Sequence, residues 1–575
     1  MSTKPIPYGL DDYNLLIKDG CAYVDKTMYI HSLEQAGYCN TFLRPRRFGK
    51  SLFASTLGYY YDIAEKDNFD LLFSNTYIGQ NPTKRKNAYF ILKFNFSGIR
   101  TDSDKIMLED FTQKVHYGIR SFQRAYHLDI PLEVSSPQVQ LLDLFAEFQE
   151  KCDGKIYVII DEYDKFANEL LSSNYDAFKN AITRNGFVRV WYEVLKEVAG
   201  TIVERIFITG VSPISLDSLT SGFSISQNLS MDSDFNEMMG FTRSEVEQLI
   251  EETTCEERPK DLMDTLVEYY NGYCFSKNGR KRVFNSDMVL YYLKHYQRKH
   301  EPPERLLDQN AVSDYGKLKG LILFETPQDN VKTLEEIVLT GYTVAEGLDD
   351  FVIGQEFEEG HFKVLLFYLG LLTIKETGTD GVRLQIPNEV IKGLYLKFIK
   401  NIITGEMKHA LKTDQIKEAM RQLGYENSCE KLITLTEDLL HALSNRDSIG
   451  FDGKHVKIVM FTYAKMSELY TLKSEYEVDK KYADLVFLPQ DDKPELAIHM
   501  FEFKYIKKSD ESEETIAAAL AEAKKQLREY SSAEEFLSKN IMCWAIVFVG
   551  EKCVKRMNVP LSSSYTDKLE GNTFG

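Results

Sequence analysis

The chain has 575 residues, of which 43% are hydrophobic and 27% are charged, a balance typical of a protein with several globular cores. No apolar run approaches the roughly 18 residues of a membrane span, and the first residues carry no apolar secretion signal, so we expect a cytoplasmic protein without a membrane partner. The eight cysteines form no CxxC pair, which argues against a zinc site or a disulfide framework. The net charge of −18 disfavours long-range attraction to nucleic acid, although local basic clusters or metal ions can offset it.

Changes in hydrophobic pattern divide the chain into four parts. Residues 1–240 alternate apolar runs with helical patterns, which predicts an α/β domain with a parallel sheet. The pattern of residues 241–300 is helical and begins with the spacing of a capping box. Residues 301–429 are predicted to form a mainly helical connector. Residues 430–560 combine strands with a long helix, which predicts a second α/β domain.

The first candidate site is a strand–loop–helix segment at residues 41–52, with the sequence TFLRPRRFGKSL. Gly49 allows the backbone to approach phosphates closely, Lys50 supplies a charge for the β- and γ-phosphates, and Ser51 offers a hydroxyl to Mg²⁺. The usual first glycine of such a loop would fall at position 44, where this chain has Arg44. The GKS triplet alone is equally compatible with an ordinary helix start that exposes a lysine.

Two more apolar strands end in polar residues that suit the same site. One has the sequence KIYVIID and ends at Asp161 and Glu162, and the other, IFITG, contains Thr209. Asp161 would hold Mg²⁺, Glu162 would polarise the attacking water, and Thr209 would contact the γ-phosphate or that water. Because ligands bind outside the carboxyl ends of strands in open α/β sheets, the three segments together predict an ATP site. A solvated acidic turn is the alternative for the two carboxylates.

A second candidate site lies near the C-terminus. Asp484 begins the run DLVFLP, while Glu502 and Lys504 lie two residues apart on AIHMFEFKYI and therefore share one face of a strand. Asp484 and Glu502 would coordinate Mg²⁺ or Mn²⁺, and Lys504 would position or help to deprotonate a water nucleophile. A hairpin with a cross-strand salt bridge is the alternative.

Several segments of the N-terminal half resemble the predicted AAA-ATPase-like family of bacterial proteins. They lie within roughly residues 5–290 and include GLDDYNLLIKDGCAYVDK, RPRRFGKSL, IIDEYDK, FITGVSPIS and YNGYCF. The resemblance implies an AAA-like P-loop NTPase domain, a helical lid or winged-helix-like region after it, and ATP with Mg²⁺ as cofactors. It also implies that the loop from Arg47 through Phe48 to Leu52 contacts the nucleotide. The tripeptide Asp25–Thr27 matches a family motif to which the sequence assigns no role.

Residues 430–555 resemble the PD-(D/E)xK nuclease domain that follows the ATPase-like region in this family. The matching segments include SEYEVDKKYADLVF and FEFKYIKK, and the next helix, AALAEAKKQLREY, places Gln526 where a further polar residue of the site often lies. The resemblance implies a Mg²⁺- or Mn²⁺-dependent phosphodiesterase. Ala483 stands where proline is common before the first aspartate. The upstream helical glutamate that some members use is hard to place in HVKIVMFTYAKMSELY, and Glu475 is an alternative carboxylate near the site.

The function expected from these sites is an ATP-binding and ATP-hydrolysing protein coupled to a metal-dependent nuclease that acts on DNA or RNA. Assembly into a homo-oligomer is left open. The alternative is a nucleotide-switched regulatory or scaffold protein, whose inactive nuclease-like domain binds nucleic acid or a protein. The intact trio of Asp484, Glu502 and Lys504 favours the first function, whereas Arg44 and the acidic net charge favour the second.

Overall fold

The computed structural model describes residues 3–131, 136–165, 186–213, 225–254, 260–277, 280–308, 327–348, 359–395, 397, 413–444, 456–457, 459–460, 463, 469–478, 481–490, 493–533, 536 and 539–560. The chain divides into two compact units. Unit 1 comprises Met1–Thr333 and Tyr342–Lys392, and unit 2 comprises Leu334–Gly341 and Gly393–Gly575. The four-part division expected from the sequence stays a prediction.

The named helices are α1 Tyr13–Lys18, α2 Tyr29–Gln35, α3 Lys50–Tyr61, α4 Phe69–Phe73, α5 Tyr77–Gln80, α6 Asp104–Ala125, α7 Pro137–Lys151, α8 Phe187–Val198, α9 Arg243–Thr254, α10 Lys260–Tyr270, α11 Ser286–Lys299, α12 Pro327–Thr340, α13 Glu359–Tyr368, α14 Thr413–Glu426, α15 Glu430–Ser444 and α16 Glu513–Ser531. The strands are β1 Cys39–Leu43, β2 Tyr89–Asn95, β3 Lys155–Asp161, β4 Val203–Gly210, β5 Gln227–Asn228, β6 Tyr342–Ala345, β7 Thr373–Gly378, β8 Gly381–Gln385, β9 Tyr470–Val478, β10 Lys481–Pro489, β11 Ile498–Ile506, β12 Ile541–Val549 and β13 Lys552–Asn558.

The main sheet of unit 1 is parallel and has the strand order β2-β3-β4-β1-β5. Its central strands are buried along nearly their whole length, which explains their continuous apolar sequences. The register pairs Leu43 with Gly210 and Asn95 with Asp161, so the carboxyl ends of β1 to β4 lie at one edge. Strand β4 lies between β1 and β3. Its end therefore separates the predicted phosphate loop from the predicted acidic residues.

Helices cover both faces of this sheet. Helix α3 lies close enough to the face of Ile159 that a side chain at Gly58 would meet that residue and Lys93. The opposite face carries Phe94, whose ring meets the edge of Trp191 on α8 at a centroid distance of 5.1 Å. The predicted α/β fold class of the N-terminal region is confirmed.

Helices α9 to α11 form the helical region that follows the sheet. Their apolar residues pack into one core, with Val246, Leu266 and Val289 all fully buried. The predicted capping box is present, because the amide of Glu245 donates to the Thr242 hydroxyl and the Thr242 amide donates to the Glu245 carboxylate. Beyond these helices, the stretch expected to be mainly helical also contains an antiparallel sheet of order β6-β8-β7.

Unit 2 contains a mixed sheet of order β13-β12-β11-β10-β9, in which β11 and β12 are parallel and the other pairs are antiparallel. Helix α16 covers one face, where Ala523 and Leu527 share a core with Met500 of β11. On the other face, Phe501 packs beside Phe487 and Trp544. Successive residues of β11 therefore alternate between the face under α16 and an aromatic face. The mixed sheet and its helix have the α/β character predicted for this region.

Two expectations from composition can be compared with the described residues. None of their helices is long and apolar enough to cross a membrane. Every cysteine among them is a free thiol, in agreement with the scattered spacing of cysteines in the sequence.

Candidate nucleotide site and metal centre

The predicted phosphate loop connects β1 to the first residue of α3, Lys50. Gly49 caps this helix with a φ of 90°, a left-handed conformation that favours glycine, and it contributes no side-chain hydrogen bond to the cap. The first amide groups of a helix have no acceptor within the helix and carry a partial positive charge. The end of α3 therefore presents N–H donors suited to a phosphate group.

Lys50 lies folded against its own loop. Its Nζ donates to the carbonyl oxygens of Arg44 and Pro45, each at 2.9 Å. Burial lowers the pKa of Lys50 to about 8, while the nearby carboxylates, Asp161 first among them, act in the opposite direction. The acidic end of β3 therefore lies near enough to the loop to influence this ammonium group electrostatically.

Arg44 does not face the phosphate site. Its side chain is fully buried and donates to the carbonyl oxygens of Leu43, Ser230 and Phe235. The guanidinium carbon also lies 4.2 Å from the ring centroid of Phe275. In place of the expected glycine, this chain has a cation that ties the loop to the polypeptide about 190 residues later.

The loop residues on either side of Gly49 divide between anchoring and ligand-facing positions. Arg47 pairs with Asp287 at 2.6 Å and with Asp308 at 3.2 Å, and the ring of Phe48 packs edge-on against Tyr273 and Phe275. These two side chains are therefore held by the following region, and their predicted contacts with a nucleotide stay predictions. Ser51 and Leu52 are half-buried in the first turn of α3, and their predicted contacts with Mg²⁺ and nucleotide stay predictions.

Asp161 is positioned by its neighbours on both adjacent strands. The Thr209 hydroxyl of β4 donates to Oδ1 of Asp161 at 2.5 Å, and the Asn95 amide of β2 donates to Oδ2 at 3.3 Å. We expected Thr209 to contact the γ-phosphate or the attacking water, whereas its hydroxyl is here engaged with the carboxylate. Sequence reasoning missed Asn95, although it is a polar residue at the end of an apolar strand.

Glu162 follows directly in a left-handed conformation, with a φ of 52°. Its carboxylate pairs with Lys165 at 2.8 Å, and both side chains are about a third exposed. Asp164, a second residue missed from the sequence, is almost fully buried and accepts hydrogen bonds from the amides of Val211 and Ser212. It fixes the turn after β4 and has a structural role.

The family tripeptide Asp25–Thr27 acquires a structural role. Lys26 is largely buried and donates to both carboxylate oxygens of Glu245 at 2.7 Å and to the carbonyl of Glu237. Asp25 accepts from the amides of Thr27 and Tyr77. The motif thus joins the N-terminal segment to the first turn of α9.

In unit 2, the ladder between β10 and β11 ends at the pair Leu485–Phe501. Beyond that pair, the side chain of Asp484 replaces the backbone acceptor, because its Oδ2 accepts from the Phe503 amide at 2.8 Å. Asp484 therefore lies beside Glu502, as predicted. Its other oxygen, Oδ1, lies 2.6 Å from Nζ of Lys457, which the sequence analysis did not identify.

Glu502 and Lys504 share the face of β11 that α16 covers. Glu502 is only 3% exposed, and its Oε1 lies 3.4 Å from Nζ of Lys504. Lys504 also pairs with Glu522 of α16 at 2.8 Å. Burial raises the pKa of Glu502 to about 8, the neighbouring Asp484 adds to this rise, and Lys504 opposes it.

Two buried acceptor atoms lie on the elements that form this face, one on β11 and one on α16. Oε2 of Glu502 and Oε1 of Gln526 have no hydrogen-bond partner among the described residues. Buried acceptors without a donor are costly in a protein interior, so a bound cation or a water attached to it would stabilise them. No group of three or more His, Cys, Asp or Glu side chains in the described part of the chain could hold a metal unaided. A Mg²⁺ or Mn²⁺ ion would thus need water or phosphate oxygens as further ligands, which is usual for Mg²⁺. The side chain of Glu475, the alternative carboxylate, lies outside the described residues.

Comparison with known families agrees with both predicted domain types. Residues 7–220 match the family described as Predicted AAA-ATPase, and residues 451–557 match the PD-(D/E)XK nuclease superfamily. The chain therefore carries an AAA-ATPase-like region near its N-terminus and a nuclease-superfamily domain near its C-terminus.

Comparison with individual proteins gives low sequence identities. An uncharacterized protein in the vnfD 5′ region of Azotobacter chroococcum mcd 1 is 25% identical over 412 residues, which cover 68% of this chain and 69% of that protein. Among solved structures, the Aeropyrum pernix ORC1 protein in complex with DNA has 9% identity and a TM-score of 0.24, covering 69% of this chain and 96% of that one. Drosophila ORC bound to GC-rich DNA and Cdc6 has 11% identity and a TM-score of 0.24, covering 78% and 75%.

Proposed function

We propose that the protein binds and hydrolyses ATP in its N-terminal region and that this activity controls a metal-dependent nuclease in its C-terminal domain. The family matches support the two domain types, and the proposal assigns an activity to each. The substrate class is nucleic acid, either DNA or RNA. The observation on which the nuclease assignment rests is the buried Oε2 of Glu502, which has no hydrogen-bond partner among the described residues and lies on the strand next to that of Asp484.

In the nucleotide site, the amide groups at the start of α3 and the Lys50 ammonium bind the phosphates. Ser51 and Asp161 would hold Mg²⁺, which supplies charge neutralisation for the transferred phosphoryl group. Thr209 keeps Asp161 oriented through its hydrogen bond. Glu162 accepts a proton from the attacking water after it leaves its pairing with Lys165.

In the nuclease site, Asp484 and Glu502 would hold Mg²⁺ or Mn²⁺, with Gln526 as a further polar ligand or a hydrogen-bond partner of a bound water. The metal, when bound, supplies Lewis-acid stabilisation of the scissile phosphate and lowers the pKa of a coordinated water. Lys504 orients the attacking water and balances charge on the phosphate. Its distance of 3.4 Å from Glu502 keeps its ammonium within reach of the same water.

The decisive experiment measures cleavage of single- and double-stranded DNA and RNA by the full chain with Mg²⁺ or Mn²⁺, with and without ATP. Wild type is compared with Glu502→Gln, Lys504→Ala and Lys50→Ala. We expect Glu502→Gln to lose metal affinity and cleavage together, and Lys504→Ala to keep metal affinity but cleave more slowly. Lys50→Ala should lose ATP binding and, with it, any effect of ATP on cleavage. Glu495→Gln, at an exposed position of the same unit, is the matched control.

A different outcome would support the alternative function. If wild type binds ATP but neither binds the metal nor cuts any of these substrates, the C-terminal domain has the nuclease fold without nuclease chemistry. The protein would then act as a nucleotide-switched scaffold. If Lys50→Ala retains the nucleotide affinity of wild type, the ATP site itself is wrongly assigned.

A further inference from the structure

Lys457 is a second lysine of the nuclease site, and its contact with Asp484 is largely shielded from water. Nζ of Lys457 lies 2.6 Å from Oδ1 of Asp484, and the two side chains are 15% and 17% exposed. Ion pairs contribute little where both side chains are exposed to solvent, and neither side chain is exposed here. Water therefore screens the attraction between Lys457 and Asp484 less than it screens an ion pair on the surface.

The oxygens of the two carboxylates are not equally available. Oδ2 of Asp484 accepts from the backbone amide of Phe503, whereas the partner of Oδ1 is the end of a lysine side chain, so we take Oδ1 as the oxygen that a metal ion can gain. That oxygen carries the Lys457 ammonium. Glu502, in contrast, keeps Oε2 without a partner among the described residues. One half of the candidate metal centre is thus open, and a tethered cation occupies the other half.

We propose that Lys457 competes with the metal ion: its ammonium occupies the position on Asp484 that the metal takes, so that the metal binds only when Lys457 is displaced. This inference rests on the proposed nuclease function. A divalent ion held by Asp484 and Glu502, the two carboxylates that the described residues offer here, gains most of its remaining ligands from water and phosphate. The competition therefore favours metal loading when a nucleic-acid phosphate is present, because the phosphate supplies ligands and also accepts the displaced ammonium.

Lys504 provides the comparison that separates direct competition from a general charge effect. Lys504 is also a largely buried lysine of this site. It pairs with Glu522 and Glu502 and makes no contact with Oδ1 of Asp484. Removing either lysine deletes one positive charge near the metal. Only removal of Lys457 also frees the ligand oxygen.

The test measures Mn²⁺ affinity of the full chain by calorimetric titration, without nucleotide or nucleic acid. Lys457→Met should bind Mn²⁺ at least about tenfold more tightly than wild type, since an ammonium in direct contact with a ligand oxygen opposes a divalent cation strongly. Lys457→Arg, which keeps the charge, should stay close to wild type, and Lys504→Met should gain clearly less. Adding Asp484→Asn to Lys457→Met should remove the gain, which assigns it to this site. Lys457→Gln, which keeps a hydrogen-bond donor, replaces Lys457→Met if the latter melts at a lower temperature than wild type.

The outcomes separate the inference from the proposed function. Unchanged or weaker Mn²⁺ binding in both neutral variants, beside measurable binding by wild type, overturns the competition and leaves the nuclease assignment in place. The absence of Mn²⁺ binding in wild type and in every variant overturns both. Binding that appears only after Lys457 is neutralised supports both.

Discussion

Thr209 donates a hydrogen bond from its hydroxyl to Oδ1 of Asp161 at 2.5 Å, between the neighbouring strands β4 and β3. Since β4 lies between the phosphate-loop strand and the acidic strand, this bond fixes the predicted magnesium ligand from the side that faces the loop. We therefore expect the threonine to act on ATP through Asp161, so that its effect depends on Mg²⁺.

Thr209→Val should weaken Mg²⁺-dependent ATP binding and leave Mg²⁺-free binding unchanged. Valine has the shape of threonine but lacks the donor, and a hydrogen bond to a charged group contributes about 1.5–3 kcal/mol, or roughly tenfold to a hundredfold in affinity. Thr209→Ser, which keeps a hydroxyl, should stay near wild type. ATP titrations with and without Mg²⁺ measure the effect. An equal Mg²⁺ dependence in wild type and Thr209→Val would contradict the positioning role.

Arg44→Gly introduces the glycine that such loops usually have, and it should destabilise the protein. Three backbone carbonyls would lose their donor and Phe275 its cation, so we expect the free energy of unfolding to fall by roughly 3 kcal/mol or more. Arg280→Ala, at an exposed position, should change it by less than about 0.5 kcal/mol. Urea unfolding measures both. Wild-type stability with tighter ATP binding in Arg44→Gly would instead identify Arg44 as an obstacle to the nucleotide.

Glu162→Gln should keep ATP bound and slow its hydrolysis by roughly a hundredfold or more, because the amide keeps the shape of the side chain but cannot accept a proton. Because the side chains of Glu162 and Lys165 are each about a third exposed, loss of their ion pair should cost little stability. The rate of phosphate release and the ATP affinity are measured together. Glu147→Gln, at a partly exposed position on α7, is the control. Hydrolysis at the wild-type rate in Glu162→Gln would mean that another group is the base.

The parts of the nucleotide site that were predictable are those fixed by strand order and strand ends. Lys50, Asp161 and Thr209 all follow apolar runs, and the carboxyl ends of parallel strands must meet at one edge. The role of Arg44 was not predictable, because its acceptors lie at Ser230 and Phe235, far along the chain. Only the tertiary fold brings them to the loop.

The candidate metal centre also combines residues that the sequence predicts with residues that only the tertiary fold brings to the site. The shared face of Glu502 and Lys504 follows from the period of two along a strand. Lys457 was not predictable, because nothing in the pattern of its segment indicates a contact with Asp484, 27 positions later. Asn95 could have been found, since it is a polar residue at the end of the apolar run AYFILKFN.

The aromatic face of β11 contains a titratable group outside both sites. His499 is 0% exposed, and its Nδ1 accepts a hydrogen bond from the indole of Trp544 at 3.1 Å. Burial lowers the pKa of His499 to about 3. The folded protein therefore keeps this imidazole neutral at acidities where the unfolded chain, with an ordinary histidine pKa of about 6.5, takes up a proton.

This difference predicts acid sensitivity of unit 2. Between pH 6.5 and about 3 the unfolded state binds one more proton at this position than the folded state, so stability falls as the pH falls, by about 1.4 kcal/mol per pH unit. His499→Gln can still accept the Trp544 bond but does not titrate, so it should lack this component. The raised pKa of Glu502, about 8, makes stability rise as the pH falls, which is the opposite effect. Glu502 is present in both wild type and His499→Gln, so its effect cancels in the comparison. Urea unfolding at pH 6.5, 5.5 and 4.5 measures the difference in the free energy of unfolding between wild type and His499→Gln. Parallel pH dependences in wild type and His499→Gln would show that the imidazole is not held neutral in the folded state.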